Sequence, residues 1–210
     1  MKELIIVGAS GFGREIIEYI EDINDASPQW IIKGFLDDNI NALDDFPSDY
    51  KIIGRIVDWQ PSQNEVFVCA LAFPDIKKKI VNELRGRGAE FISIIHPSAR
   101  ISRHATIGEG VVITPNSNVN TNAVVGDFVS ILGSGIGHDA KIGSFSTFSG
   151  RCSVNGHVEV GECVYAGCGV FIAPSKTIGD HATLGIGSVV ISNVKSNTKV
   201  FGNPAKKLAF

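Results

Sequence analysis

The feature that most constrains this chain is an apolar residue at every sixth position of its C-terminal half. The series starts at Ile101 and holds at fifteen positions up to Val190, with one change of phase. A period of six is neither the spacing of a helix nor the two-residue alternation of an ordinary sheet, and it is typical of a parallel β-helix. The positions are 101, 107, 113, 119, 125, 131, 142, 148, 154, 160, 166, 172, 178, 184 and 190.

This period predicts a triangular coil of three six-residue strands, with the apolar residue inside and a small residue beside it at the corner. Residues 101 to about 195 hold roughly five such coils. The residue after the apolar position is often Gly or Asn, which predicts a sharp turn with positive φ there. The phase changes between 131 and 142, eleven residues apart, and the irregularity is assigned to residues 133–139. A local break in a regular pattern indicates a functional site.

The first 95 residues alternate apolar runs with amphipathic segments. Strands are predicted over residues 4–7, 31–36, 65–71 and 91–95, and helices over 14–23 and from Pro74 to about Gly86. This order predicts a small parallel α/β domain over residues 1–95, followed by a β-helix domain over 96–210. The basic run Lys77–Lys79 is assigned to the solvated face of the second helix.

Composition excludes several classes of protein. Nineteen Lys and Arg against 22 Asp and Glu give a net charge of −3, and no basic block predicts nucleic-acid binding. No apolar stretch reaches the roughly 18 residues of a membrane span, and the short run after Met1 does not fit a signal peptide. We therefore expect a cytoplasmic protein. The four cysteines form no CxxC pair, which favours buried thiols over disulfides or a zinc site; they are Cys69, Cys152, Cys163 and Cys168.

Further motifs stand in a fixed order around the repeat. They are Gly8–Gly13, Phe35–Asp38, Ile95–Ala99, His138–Asp139 and Gly202–Lys206. Together with the repeat they resemble the sialic acid O-acetyltransferase and nucleotide-aminosugar N-acetyltransferase family of bacterial surface-glycan pathways. The resemblance covers nearly the whole chain. It implies a small Rossmann-like domain followed by a left-handed parallel β-helix, with acetyl-CoA as cosubstrate and no metal.

His138 is the candidate general base. A histidine followed by an acid suits proton transfer near neutral pH, because a carboxylate fixes the tautomer of the ring. The resemblance implies that His138 is the base, that Asp139 orients it, and that the backbone N–H of Gly156 stabilises the oxyanion. The alternatives are His157 as the base, or a surface-turn role for His138.

The resemblance, and not the spacing, implies the coenzyme contacts. The matching positions are Gly156, Gly167, Cys168, Gly185, Ile186, Pro204 and Lys206. The segment 202–206 closes over the coenzyme in the family, and an end-cap turn is the alternative. Enzymes of this family are usually homotrimers with sites at subunit interfaces, so Asp139 and the C-terminal residues are candidates to act across an interface.

The N-terminal glycine turn is the candidate acceptor site. It follows a strand and opens a helix, where backbone N–H groups bind phosphate, although its GxxGxG spacing differs from the dinucleotide GxGxxG. A purely structural turn is the alternative. The resemblance implies that Ser10, Gly11, Phe12, Gly13, Asp37 and Asp38 contact the nucleotide of the acceptor. Phe12 replaces a histidine common in the family, and Phe73 stands in a loop that is usually polar, so both either stack on the acceptor or pack.

Three kinds of function are compatible with these motifs. N-acetylation of a nucleotide-linked 4-amino-4,6-dideoxyhexose is the first expectation. O-acetylation of sialic acid or another surface sugar is the second, and a non-catalytic sugar-nucleotide binding protein is the third. A γ-type carbonic anhydrase is disfavoured, because no two histidines are five residues apart and His138 and His157 are separated by nineteen. A nicotinamide oxidoreductase is disfavoured because the N-terminal domain is half a dinucleotide fold.

Overall fold

The N-terminal part of the chain is a parallel four-stranded sheet between two helices. A computed structural model describes residues 1–208. The elements are β1 (Lys2–Val7), α1 (Gly11–Ala26), β2 (Trp30–Leu36), β3 (Ile52–Gly54), β4 (Glu65–Cys69) and α2 (Pro74–Gly86). The strands run in the order β3-β2-β1-β4, and all pairings are parallel. The short strand β3 was not predicted.

Alternating side chains of β1 fill the two cores of this sheet. Leu4 and Ile6 pack against the buried residues of α1, whereas Ile5 and Val7 pack against those of α2. A strand that is buried on both sides is expected to be apolar throughout, which explains the unbroken run in the sequence. The alternation of strands and helices therefore predicted β1, β2, β4 and both helices.

The predicted fourth strand is divided between two sheets. Phe91 forms an isolated bridge to Phe67 of β4, but Ile94–Ile95 (β5) pairs with a strand of the β-helix. The β-helix therefore starts before His96, and β5 contributes to its first coil.

The rest of the chain is a left-handed parallel β-helix with three faces. The first face contains β5, β8 (Val112–Ile113), β11 (Ser130–Ile131), β14 (Thr147–Phe148), β17 (Tyr165–Ala166), β20 (Thr183–Leu184), β22 (Lys199–Phe201) and β23 (Lys206–Lys207). The second face contains β6 (Arg100–Ile101), β9 (Asn118–Val119), β12 (Gly135–Ile136), β15 (Ser153–Val154), β18 (Phe171–Ile172) and β21 (Val189–Val190). The third face contains β7 (Thr106–Ile107), β10 (Val124–Val125), β13 (Lys141–Ile142), β16 (Glu159–Val160) and β19 (Thr177–Ile178).

From β5 to β18, parallel ladders join each strand to the third strand after it along the chain, which lies one coil later. At the end of the β-helix β20 pairs with β22, and β22 pairs antiparallel with β23. The apolar residue of each hexad points inward, and these residues form one continuous core from Ile113 to Val200. We call the corner between the first and second faces the first edge. The second edge joins the second and third faces, and the third edge joins the third and first faces.

Positive φ does not occur at the glycines and asparagines that follow the apolar positions. It occurs two residues later, at side chains such as Asn122, Asp139 and His157. Glycine is needed at the earlier position because the coils approach closely there. A Cβ added to Gly143 would lie 2.3 Å from the carbonyl carbon of Gly161. The predicted turn residues are correct, but the physical reason is contact between coils and not backbone conformation.

Helix α2 covers the first face, and this corrects the assignment of Lys77 to solvent. Lys77 is 1% exposed. Its ammonium group donates to the carbonyl of Phe128 at 2.8 Å and to the hydroxyls of Ser130 and Thr147 at 3.0 Å. Burial lowers the pKa of Lys77 to about 8. Lys77 therefore joins the N-terminal part of the chain to the β-helix.

Aromatic residues and ion pairs complete the contact between α2 and the third edge. Phe128 and Phe145 stack at 5.2 Å and belong to the same core cluster as Val81 and Leu84 of α2. Lys78 pairs with Glu162 at 2.9 Å. The two parts of the chain thus share a buried interface. No helix among residues 1–208 is long and apolar enough to cross a membrane.

Candidate active site

The candidate site lies on the second edge, where turns of successive coils stack. Asp139 N donates to the carbonyl of Thr121, and His157 N donates to the carbonyl of His138, both at 3.0 Å. These bonds hold the turn that carries His138 between the turns above and below it. Asn122, Asp139 and His157 occupy equivalent positions and have φ between 57° and 58°. Their side chains therefore project from the same edge.

His138 and Asp139 form the pair predicted from the sequence. His138 Nδ1 lies 2.7 Å from Asp139 Oδ2, and Asn122 donates to Asp139 Oδ1 at 3.0 Å. Hydrogen bonds from His138 and then Asn122 lower the pKa of Asp139. An ionised Asp139 favours the tautomer with hydrogen on Nδ1 and leaves Nε2 as the acceptor. The His138 side chain is 54% exposed, so Nε2 is accessible.

Gly156 lies directly against the His138 ring. A Cβ at Gly156 would stand 2.5 Å from Cε1 and 2.6 Å from Nε2 of His138. Glycine is therefore required for the ring to occupy this position. Within residues 1–208, the N–H of Gly156 donates to no protein acceptor. At the equivalent place on the third edge, a side chain accepts the bond, as Asp127 does from Glu109 N at 3.0 Å.

Two cavities share His138. One of about 320 Å³ is lined by Asn155, Gly156 and Pro174 among others, and one of about 600 Å³ is lined by Arg100, Arg103 and Thr121 among others. The candidate base thus faces two cavities. The two arginines give the larger cavity a positive side, which suits phosphate groups. Sequence reasoning missed these arginines and Asn122, although counting back by whole coils from the predicted site residues reaches the same turns.

His157 is closer to His138 than the sequence spacing suggested. The ring centroids are 5.1 Å apart with an interplanar angle of 87°, and His157 Nε2 lies 3.9 Å from Asp139 Oδ2. Three hexads make one coil, so a separation of nineteen positions exceeds a full coil by one and brings the two rings to adjacent turns. The spacing argument used against a carbonic anhydrase was therefore wrong, although the cluster contains only two histidines beside Asp139.

The change of phase does not shape the turn that carries His138. The missing residue is in the preceding corner, because Ile131 and Ile136 are five apart, whereas Ile136 and Ile142 have the regular spacing of six. At this corner Gly133 has φ +55°, and the buried Ser134 hydroxyl donates to the carbonyl of Ser149 at 2.8 Å. His138 occupies a regular position on the next edge.

Four of the predicted coenzyme residues lie on the first edge of the same chain, whereas Gly156 lies on the second edge. Gly167 and Cys168 follow β17, and Gly185 and Ile186 follow β20. A Cβ at Gly167 would lie 2.9 Å from Ile186 N, so these glycines also serve the stacking of coils. Cys168 is exposed, against the prediction of a buried thiol, whereas the other three cysteines are buried.

The C-terminal segment lies beside these residues. Ala205 N donates to Val189 O at 2.8 Å, and Val189 N donates to Gly202 O at 3.0 Å. Pro204 and Lys206 are exposed and lie at the end of the β-helix near Gly185. The segment thus forms an end cap, and it is close to the predicted coenzyme residues of the first edge. Residues 209 and 210 lie outside the described part of the chain.

The glycine turn has a structural explanation at two positions. Gly8 has φ +103°, and a Cβ at Gly13 would lie 1.9 Å from the carbonyl oxygen of Gly8. Helix α1 begins at Gly11 after Ser10, and its first intrahelical bond runs from Arg14 N to Ser10 O. The N–H groups of the first turn, at Gly11, Phe12 and Gly13, therefore remain available to an anion.

Asp37 and Asp38 hold the loops around this turn. Asp37 Oδ2 accepts from Ala9 N at 2.8 Å, and Asp38 Oδ1 accepts from Val57 N at 3.1 Å. Phe12 is half-buried and packs on the core beside α1. Phe73 stacks on Tyr165 of the β-helix at 5.7 Å. Phe12 therefore packs within the chain, whereas Phe73 keeps 63% of its surface exposed beside Tyr165.

The structure brings together the predicted catalytic residues but not the complete predicted site. His138, Asp139 and Gly156 meet on the second edge, whereas the other predicted coenzyme residues lie on the first edge or in the C-terminal segment. The acceptor residues lie at the first turn of α1. Within residues 1–208, no hydrogen bond or ion pair joins these three groups to one another.

Comparisons with known proteins agree with this architecture. Residues 3–84 match the family model described as PglD N-terminal domain. Over 154 residues the chain is 29% identical to GDP-perosamine N-acetyltransferase of Escherichia coli O157:H7, and the match covers 70% of each protein.

Solved structures extend the similarity to the whole chain. The acetyltransferase domain of PglB from Neisseria gonorrhoeae FA1090, in complex with acetyl coenzyme A, is 25% identical with a TM-score of 0.89, and 99% of each chain is covered. PerB from Caulobacter crescentus, in complex with CoA and GDP-perosamine, is 23% identical with a TM-score of 0.89, covering 100% of this chain and 98% of that one. The predicted left-handed β-helix with a small N-terminal α/β domain is confirmed.

Proposed function

We propose that this chain, which belongs to the left-handed β-helix sugar acetyltransferases with a PglD-type N-terminal domain, acetylates the amino group of a nucleotide-linked amino sugar. Acetyl-CoA supplies the activated acetyl group. The observation that carries the proposal is the pair of His138 and Asp139 packed against Gly156, whose N–H donates to no acceptor among residues 1–208. The identity of the acceptor is supported by the similarity to GDP-perosamine N-acetyltransferase.

The roles of the residues follow from this geometry. Asp139 fixes the His138 tautomer, so Nε2 accepts the proton as the acceptor nitrogen attacks the thioester carbonyl. The N–H of Gly156 donates to the oxygen on which negative charge develops. When the carbon–sulfur bond breaks, His138 returns the proton to the sulfur of coenzyme A. The amide and the free thiol are then formed without a covalent enzyme intermediate.

The binding sites are proposed from the expected residues. The first turn of α1, with Ser10 and Asp38, takes the nucleotide of the acceptor, and Gly167, Gly185 and Pro204 belong to the coenzyme groove. The first and second edges of one β-helix are separate. We therefore propose a homotrimer in which the first edge of one subunit lies beside the second edge of its neighbour. The use of acetyl-CoA, a metabolite of the cell interior, supports the cytoplasmic location expected from the sequence.

Thiol release from acetyl-CoA tests the function. The acceptor panel contains nucleotide-linked 4-amino sugars together with free and CMP-linked sialic acid. We expect release with an amino sugar and a loss of at least about 10²-fold in His138→Ala. His104→Ala is the matched control, because His104 is an exposed histidine of the same β-helix. Equal turnover of the two variants, or release with only a hydroxyl acceptor, would contradict the proposal.

A further inference from the structure

A second cluster of metal-ligating side chains lies where α2 meets the third edge. Asp75 is in the first turn of α2, and Cys163 and His181 occupy equivalent turns of adjacent coils. His181 Nδ1 lies 2.9 Å from Asp75 Oδ1. One ligand atom from each of the three residues lies within 4.8 Å of the other two. None of these residues belongs to the candidate active site.

The backbone holds two of the three residues in fixed positions. Cys163 and His181 both have φ +55°, so their side chains project from the same edge. Cys163 N donates to Ser144 O, and His181 N donates to Glu162 O, both at 2.9 Å. The third residue comes from a helix that Lys77 and Lys78 attach to the same prism. The cluster is therefore assembled only when the two parts of the chain are docked.

The thiol fits a metal ligand better than a nucleophile. Cys163 is buried, with 3% of its surface exposed. A reactive cysteine needs a partially exposed, electropositive environment. A bound cation removes the proton from a coordinating thiol outright. The arrangement of Cys163, His181 and Asp75 therefore does not form a nucleophilic triad.

We infer that Asp75, Cys163 and His181 bind a divalent transition-metal ion of the zinc type between the two parts of the chain. Cysteine, histidine and aspartate are the ligands that Zn²⁺ prefers. Bond lengths of about 2.0 to 2.3 Å in a tetrahedron require ligand separations of about 3.3 to 3.6 Å, which the present ligand atoms reach with shifts of about 1 Å or less. The sequence pattern pointed away from a zinc site because Asp75 is distant from the other two ligands along the chain and no CxxC pair is present.

Asp75, Cys163 and His181 line a cavity of about 410 Å³, into which the fourth coordination position of a bound ion would open. Phe73 and Tyr165 form one wall of this cavity, and Thr183 and Lys199 also line it. Three protein ligands with an open fourth position leave room for water or a small anion. The ion would connect α2 to two coils of the β-helix. Its first consequence is therefore a more stable contact between the two parts of the chain.

Cobalt absorption tests this inference without any assay of activity. Chelator-treated protein is titrated with Co²⁺, and we expect one equivalent to produce a thiolate-to-cobalt charge-transfer band that Zn²⁺ removes. Cys163→Ser should abolish the band, and His181→Gln should weaken binding at least about 100-fold. Cys168→Ser is the matched control, because it removes the exposed thiol and should keep the band.

Two further measurements make the result decisive. His157→Gln removes a ligand from the cluster of His138 and Asp139, and the band should persist in this variant. Zn²⁺ at about 100 times its Kd should raise the Tm of the unmodified chain by about 5 °C or more, but not that of Cys163→Ser. Absence of the band, its survival in Cys163→Ser, or an equal Tm shift in both proteins would overturn the inference. None of these outcomes bears on the proposed role of His138 in acetyl transfer.

Discussion

Replacement of Lys77 by methionine tests the account of how the two parts of the chain are joined. The substitution keeps an unbranched side chain, one atom shorter, but removes the ammonium group that donates to Phe128, Ser130 and Thr147. Each orphaned buried acceptor costs about 1 to 3 kcal/mol, and loss of the buried ammonium offsets part of this. We expect the free energy of unfolding at pH 7 to fall by about 3 kcal/mol.

The effect must also depend on pH. Because the pKa of Lys77 is about 8 in the folded chain and about 10.4 when unfolded, the unfolded chain binds more protons between these values. Stability due to Lys77 therefore rises with pH in this window. From pH 7 to pH 9.5 the gap between the unmodified chain and Lys77→Met should widen by about 2 kcal/mol. Burial raises the pKa of the Cys69 and Cys163 thiols to about 11, so both stay protonated in the folded chain over this window.

Urea unfolding at both pH values and one protein concentration measures this difference. Lys79→Met is the matched control, because Lys79 is on the same helix with a side chain that is 73% exposed. We expect a change within about 0.5 kcal/mol for that variant at either pH. Equal effects of the two substitutions, or a gap that narrows as the pH rises, would refute the buried role of Lys77.

The remaining predictions concern the candidate active site. Gly156→Ala should displace the His138 ring and lower kcat by about 10²-fold, whereas Gly150→Ala, whose Cβ would meet no atom closer than 4.0 Å, should leave kcat within twofold in steady-state assays. Asp139→Asn should lower kcat at least about tenfold with the KM for acetyl-CoA unchanged, and an unchanged kcat would remove Asp139 from the mechanism. If sites form between subunits, refolding inactive His138→Ala with an inactive variant of the α1 turn should restore about a quarter of the sites, whereas sites within one chain would give no activity.

The β-helix was predictable because its pattern depends on local geometry alone. Each coil repeats the same inward apolar residue, so a period of six in the sequence determines which side chains form the core. The ladders between Ile142 and Val160 and between Phe148 and Ala166 follow directly from that period, because the residues of each pair are three hexads apart. The same rule would have placed His157 beside His138, had the coil length been applied to polar residues as well.

The burial of Lys77 was not predictable from the sequence. Ser130 and Thr147 occupy outward positions of the first face, where polar residues normally meet water. Only the docking of α2 turns these positions into a buried cluster, and that docking depends on contacts between distant parts of the chain. A lysine at a helical position next to two other lysines gives no local signal of such a contact.

The change of phase shows the limit of reading function from an irregular pattern. The irregular corner at residues 132–134 is occupied by Gly133 and the buried hydroxyl of Ser134, and it solves a packing problem on the first edge. The predicted base stands on the next edge at a regular position, so the reason for expecting His138 there was incomplete. The stronger local signal is the acid directly after the histidine, together with a glycine one coil later. The acid pairs with Nδ1 of the histidine, and the glycine leaves space for the ring.

The three edges of the β-helix carry different groups of residues. The second edge holds His138, the first edge holds the expected coenzyme residues, and the third edge is covered by α2. A docked α2 also fixes the first turn of α1 relative to the prism, because both helices pack on the same sheet. The residues that are expected to bind the acceptor then cannot move towards His138 of the same chain unless the Lys77 contact breaks. Because that contact is buried, an interface between subunits is the simpler way to complete the site.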